Sequence, residues 1–313
     1  MKRLSVMMPG QGSQFVGMGR DLAVADARAM ELFERADSVL GVPLSRICWE
    51  GPVEELTRTE NAQPAILLHS FIAWSLLPDN VRAAVTVGAG HSLGEFTAYV
   101  ASGALELDDA LRLVRRRGEL MARSGDERAG TMAAVIGLDP ESVQSVCATV
   151  SVEGCVVVPA NYNAPGQIVI SGDVPAVESA MAAATEIGAR KVIPLNVSGA
   201  FHSPLMGSAR SGLAEAITEV ELADPIFPVV ANATAMEVST ASEARARLVE
   251  QLTSPVRWVE SVETIAAGVP DLWIEVGPGR VLSGLLKRID RGQLSAAAGT
   301  PVELEQMVEA FNV

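Results

Sequence analysis

The sequence predicts an α/β fold on a mostly parallel sheet, carrying a smaller unit of different architecture, and two patterns predict it. Through residue 122 strand and helix signals alternate, which implies a parallel sheet covered by helices on both faces. From Thr131 the order becomes strand, helix, strand, strand, helix, strand, the β-α-β-β-α-β succession of a ferredoxin-like unit.

The first element is a strand over 3–8. Its apolar run stops at Pro9-Gly10, too soon for the apolar core of a signal peptide, and a first core strand accounts for it better. Helices follow within 17–58 and over 64–77. The second holds the longest apolar stretch, Ala65 to Leu77, which is interrupted by His69 and Ser70 and cannot span a bilayer. Ala83-Ala-Val-Thr-Val87 is short and β-branched, so a buried strand is expected over 83–88. Helices over 94–104 and 107–122 come next. The second unit reads as strand 131–136, helix 139–149, strands 154–160 and 167–171, helix 174–187 and strand 190–195. Turn and charge clusters, Ser124-Gly-Asp-Glu127 and Val197-Ser-Gly199, border it. Residues 127–197 are therefore expected as an insertion into a large domain made of 1–126 and 198–313, with a site in the cleft between them. Asn161–Gln167 and Glu275–Arg280 read as turns, and the alanines at 296–298 as surface or helix filler.

Bulk composition narrows the function. With 313 residues and 49% hydrophobic content the chain can bury a large core. Its three cysteines, Cys48, Cys147 and Cys155, are widely spaced without a metal pattern, which points to reduced, buried thiols in a cytoplasmic protein and to no metal site. A net charge of −14 argues against nucleic acid and anionic membrane as partners.

The chemistry starts at Gly88-Ala-Gly-His-Ser-Leu-Gly-Glu-Phe96. A Gly-x-Ser-x-Gly between strand and helix is the nucleophile-elbow pattern, and it presents the Ser92 hydroxyl at a helix N-terminus. A serine nucleophile needs a base, and the chain has three histidines. His69 falls in an apolar helix pattern and reads as a core residue. His91, adjacent to Ser92, points elsewhere and reads as a structural hydrogen-bonding residue. His202, where the chain returns from the insertion, is the base by elimination. Arg117 shares a helix stripe with Leu113, Val114, Leu120 and Met121, so it is buried, and a buried guanidinium requires an anion. Either a substrate carboxylate fills that role, or an internal partner such as Glu95 or Glu119 does. Pro9-Gly-Gln-Gly-Ser-Gln14 lacks the third glycine of a dinucleotide fingerprint, since Phe15 stands there, but such a loop can supply a backbone N–H to an oxyanion.

Together with Ala62-Gln-Pro-Ala65, Arg117-Gly118, Asn161 to Gln167, Gly199-Ala-Phe-His202, Gln251 to Val256 and Glu275-Val-Gly-Pro-Gly279, these segments run in order along essentially the whole chain. In this the chain resembles the malonyl-CoA:acyl carrier protein transacylase family, with a large α/β-hydrolase-like domain and an inserted ferredoxin-like subdomain. The resemblance implies a ping-pong transfer of malonyl from malonyl-CoA through Ser92 to the phosphopantetheine thiol of an acyl carrier protein, in fatty acid synthesis. It implies no bound cofactor and a monomer. It assigns the oxyanion hole to the N–H groups of Gln11 and Leu93, and the orientation of His202 to the carbonyl of Gln251. Arg117 becomes the clamp on the malonyl carboxylate, Gln63 lines the pocket, Phe201 leaves little room for an α-methyl branch, and Asn161 is a supporting residue. Carrier proteins are acidic, so docking would draw on Arg190-Lys191, Lys287-Arg288 with Arg291, or Arg115-Arg116. Three alternatives stand beside this reading: loading of polyketide synthase carriers with malonyl or another dicarboxylic extender, hydrolysis of acyl carriers by a serine hydrolase, and a non-catalytic carrier-binding scaffold.

Overall fold

The computed structural model describes residues 2–312. Its strands are β1 (Leu4–Met8), β2 (Val85–Gly90), β3 (Gly130–Ile136), β4 (Val157–Ala164) and β5 (Gln167–Asp173). They continue as β6 (Lys191–Pro194), β7 (Val229–Val230), β8 (Glu237–Val238), β9 (Leu272–Val276) and β10 (Ser295–Ala298). One sheet has the order β10-β9-β1-β2-β7-β8, parallel throughout except for the β7–β8 pair. The other is antiparallel, in the order β4-β5-β3-β6. This is the expected α/β architecture with a ferredoxin-like unit.

The centre of the parallel sheet is apolar on both faces because helices cover both. Every residue of β1 and of β9 is buried. Against one face lies the helix Thr59–Leu76, which packs on the helix Leu107–Glu127. These helices approach closely at Gly118, where a Cβ would stand 2.6 Å from the Cα of Glu60. That contact brings the neighbouring Arg117 beside Gln63. Among the described residues no helix is long and apolar enough to cross a membrane.

Four local expectations are corrected. Ser124–Glu127 is not a turn cluster but the last turn of the helix Leu107–Glu127, and Glu275 and Val276 belong to β9, so only residues 277–280 turn. Asn161–Gln167 is not a turn throughout: β4 continues to Ala164, and only Pro165-Gly166 lies between the two strands. Register shifts at Pro159/Asn161 and Tyr162/Ala164 interrupt the alternation that would have revealed the strand. The alanines at 296–298 are not filler. They form β10, an edge strand parallel to β9, where pairing to a preformed neighbour overrides the weak strand preference of alanine. All three cysteines are free, Cys48 and Cys147 buried and Cys155 half-buried.

Candidate active site

β2 ends at Gly90 and the helix Leu93–Ala101 starts three residues later, leaving His91 and Ser92 to make the corner. Ser92 has φ 51° and ψ −105°, a conformation that side chains rarely adopt. The corner closes this tightly because Gly94 lets the helix rest on β1: a Cβ there would sit 2.0 Å from the Met8 carbonyl oxygen. Asn232, fully buried, holds the turn. Its Oδ1 accepts from the Ser92 N–H at 2.7 Å, and its Nδ2 donates to the Gly90 carbonyl at 2.7 Å.

His202 Nε2 is 2.7 Å from Ser92 Oγ. Its Nδ1 faces the carbonyl oxygens of Gln251 at 3.0 Å and Ser254 at 3.2 Å. Carbonyls only accept, so Nδ1 carries the proton and Nε2 is left as an acceptor for the serine O–H. Two neutral dipoles thus orient this histidine in place of a carboxylate.

Arg117 is 1% exposed despite its charge. Its Nη1 donates to Gln63 Oε1 at 2.7 Å, and its Nη2 donates to Gln251 Oε1 at 2.9 Å and to Ser92 Oγ at 3.1 Å. The Phe96 ring lies 5.4 Å from the guanidinium carbon. Neither internal carboxylate weighed from the sequence touches it. Glu119 pairs with Arg115, and Glu95 reaches Arg117 only through the Gln251 amide, whose Nε2 donates to Glu95 Oε2 at 2.7 Å. Among the described residues the guanidinium is therefore held by neutral acceptors alone, with no carboxylate in contact with it.

The Ser92 cleft has a volume of about 430 Å³ and draws its walls from both sheets. Gln11, His91, Ser92 and His202 line one side, with Met132, Asn161, Val169 and Leu195 on the other, and Phe201 and Met121 close it. A larger cavity of about 580 Å³ lacks Ser92 but continues the cleft outward through Gln11, Thr57, Asn196 and Val197. Among the described residues no acceptor takes the backbone N–H of Gln11 or of Leu93. His91 bonds Asn163 Oδ1 at 2.8 Å beside the Trp258 ring, and buried His69 bonds the Gly299 carbonyl at 2.8 Å. The structure therefore brings together every site residue read from the sequence. It adds Asn232, which no local pattern announced, and gives contacts to Glu95, Asn163 and Ser254, which lay inside quoted segments without these roles.

Burial governs the charges here. It pushes the Glu95 carboxyl up to about 7. The same effect, partly offset by Glu95, lowers the Arg117 guanidinium to about 10, still charged at neutral pH. His202 falls to about 3, first through burial and then through the nearby Arg117 cation. A base with a lowered pKa stays unprotonated to lower pH. Labelling of Ser92 by an uncharged serine-directed phosphonate should therefore hold its rate as pH drops through 6.5, the ordinary imidazole value. A half-maximal loss near 6.5 would show an unshifted His202.

A serine presented on a strand–helix corner to a neutral histidine is an arrangement suited to acyl chemistry. In agreement, the family model of the acyl transferase domain matches residues 6–301. The malonyl CoA-acyl carrier protein transacylase of Bacillus subtilis (strain 168) is 42% identical over 99% of this chain and 98% of its own length. The protein of the same name from Escherichia coli (strain K12) is 41% identical over 99% and 100%. Among solved structures, a malonyl-transacylase in complex with its type II PKS acyl-carrier protein aligns with TM-score 0.95 and 40% identity, covering 98% of this chain and 99% of that one. The Xanthomonas oryzae malonyl-CoA:acyl carrier protein transacylase aligns with TM-score 0.93 and 40% identity, over 99% and 98%. The chain belongs to the malonyl-CoA:acyl carrier protein transacylase family.

Proposed function

We propose that this enzyme moves malonyl from coenzyme A to the phosphopantetheine thiol of an acyl carrier protein, supplying chain extension in fatty acid synthesis. The observation that carries the reading is the single hydroxyl shared by base and clamp: Ser92 Oγ lies 2.7 Å from His202 Nε2 and 3.1 Å from Arg117 Nη2. A malonyl carboxylate is two carbons from the thioester carbonyl, so a nucleophile and an anion clamp must stand this close.

In the first half-reaction Ser92 Oγ bonds the thioester carbon while its proton passes to His202 Nε2. The N–H groups of Gln11 and Leu93 receive the carbonyl oxygen as it becomes an oxyanion. The C–S bond then breaks, and His202 returns the proton to the departing coenzyme A sulfur. The second half-reaction is the reverse, with the carrier thiol as nucleophile. Arg117 holds the carboxylate in both. Phe201 restricts the α-carbon, a discrimination of roughly 1–3 kcal/mol for one methyl group. No cofactor enters these steps. Residues 127–197 act as an inserted subdomain forming one wall of the cleft, and the substrates place the protein in the cytoplasm.

Two of the basic clusters lie beside the β4–β5 hairpin. The Arg288 guanidinium donates to Gln167 Oε1, and the Arg190 backbone packs on Gly137, whose N–H donates to the Gly166 carbonyl at 2.8 Å. Arg190-Lys191 and Lys287-Arg288 thus flank the β4–β5 hairpin, whose Asn161 and Asn163 line the Ser92 cleft. Arg115 pairs with Glu119 and donates to Asn61 Oδ1 at 2.6 Å and to the Glu60 carbonyl at 3.2 Å, so this cluster stands beside the outer cavity that Glu60 lines. Reversing Lys287 and Arg288 to glutamate should raise KM for an acidic carrier about ten-fold at low salt, and much less at high salt. An unchanged KM would exclude that pair.

Intact mass after mixing with malonyl-CoA tests the activity. A malonyl adduct that disappears when holo-carrier is added supports the reading. Consumption of thioester with no adduct and no carrier product would point to hydrolysis instead.

A further inference from the structure

Glu95 sits one helical turn after the nucleophile, fully buried under the elbow. Two donors converge on its Oε2: Gln251 Nε2 at 2.7 Å and the Asn232 backbone N–H at 3.0 Å. Among the described residues its Oε1 is buried without a partner. A proton taken up by this carboxyl therefore resides on Oε1, and Oε2 remains an acceptor in either state. The other N–H of Gln251 Nε2 reaches the Ser92 carbonyl at 3.0 Å, and Gln251 Oε1 takes Arg117 Nη2 at 2.9 Å. The main-chain carbonyl of Gln251 meanwhile faces His202 Nδ1.

An amide has two orientations, and here its neighbours choose. Turned over, Gln251 would point its NH₂ at the Arg117 guanidinium, donor against donor, and leave its oxygen against Glu95 Oε2, acceptor against acceptor. We infer that Glu95 is a positioning residue: the acceptor it places beneath the elbow fixes the Gln251 amide, which in turn holds Arg117 in the pose that reads a substrate carboxylate. Glu95 thereby supports the clamp without occupying any of its donors. This rests on the proposed role of Arg117 as the carboxylate clamp.

The test uses donor choice, which a general loss of packing would not alter. Acylation of Ser92 by malonyl-CoA and by acetyl-CoA is measured by stopped reaction and intact mass, alongside labelling by the uncharged phosphonate. Glu95→Met removes the acceptor and should lower the malonyl-to-acetyl ratio of kcat/KM by roughly 10- to 100-fold, as expected for a weakened hydrogen bond to a charged group. Phosphonate labelling should stay within about three-fold, because His202 is still held by two carbonyls. Glu95→Gln, able to present an amide oxygen at the Oε2 position, should keep most of the ratio. Should Glu95→Met not fold, Gln251→Met removes the relay itself and should lower the ratio alike. Equal losses in Glu95→Met and Glu95→Gln, or a fall in labelling that matches the fall in malonyl transfer, would overturn the positioning role. An unchanged ratio in Arg117→Ala would instead overturn the clamp reading beneath it.

Discussion

Arg117→Ala is expected to lower kcat/KM for malonyl-CoA by roughly 30- to 5,000-fold while leaving acetyl-CoA equal or better. The figure follows from removing one partner of a buried, hydrogen-bonded ion pair, about 2–5 kcal/mol. The sign for acetyl-CoA has a separate cause. In the wild type a neutral acyl tail must lie against a fully buried guanidinium whose partners among the described residues are Gln63, Gln251 and Ser92. Alanine removes that unmatched charge and opens room. Arg117→Lys should not restore malonyl transfer, since an ammonium offers no planar fork and would leave the Gln63 and Gln251 oxygens competing for it. His202 should also respond, because Arg117 is the second cause of its lowered pKa. Its pKa should move upward in Arg117→Ala and become visible as an acid limb in the labelling profile. Parallel loss of malonyl and acetyl transfer would mean that Arg117 serves the fold or the hydroxyl, not the carboxylate.

These expectations draw on residues of unequal legibility. Ser92 is legible because the elbow is local: strand, glycines, serine and helix lie within a dozen residues. Arg117 is legible because helical periodicity alone puts a charge on an apolar stripe, and the structure finds that stripe buried. His202 emerged by elimination among three histidines. Glu95 was harder. The sequence offers it only as a direct ion-pair partner of Arg117, because an acid in the first turn of a helix is normally solvated and favoured by the dipole. Its burial depends on Gln251 and on Asn232, 156 and 137 residues further along the chain. Asn232 follows the two-residue strand β7, too short for any alternation to register. β7 and β8 went unread for the same reason, and β10 because three alanines carry no strand preference of their own. β9, a short buried apolar run, and the helices after residue 206 carry local patterns and also went unread, whereas what depends on a distant partner had no pattern to read.

Ser92→Ala should abolish the malonyl adduct and reduce steady-state transfer to the carrier by about 10⁴-fold or more. The acyl-enzyme divides one exchange between two bulky thiols into two steps that use the same oxyanion donors, and without the hydroxyl the thiols would have to meet in one cleft of about 430 Å³. His202→Ala should approach the same floor, since among the described residues Ser92 Oγ meets no second base; its other polar neighbour, Arg117 Nη2, is a donor. The double variant should then be no worse than either single one, as for groups that act as a unit. Binding is expected to diverge from turnover. In Ser92→Ala the Gln63 and Gln251 anchors of Arg117 remain and only the Nη2–Oγ contact is lost, so malonyl-CoA should bind at least as tightly as to the wild type. Calorimetry on Ser92→Ala with malonyl-CoA and acetyl-CoA reads the clamp free of chemistry. A clear preference for malonyl-CoA there would place selection at binding, whereas equal affinities would place it in the acylation transition state, where Arg117 would act as the carboxylate is drawn onto its fork.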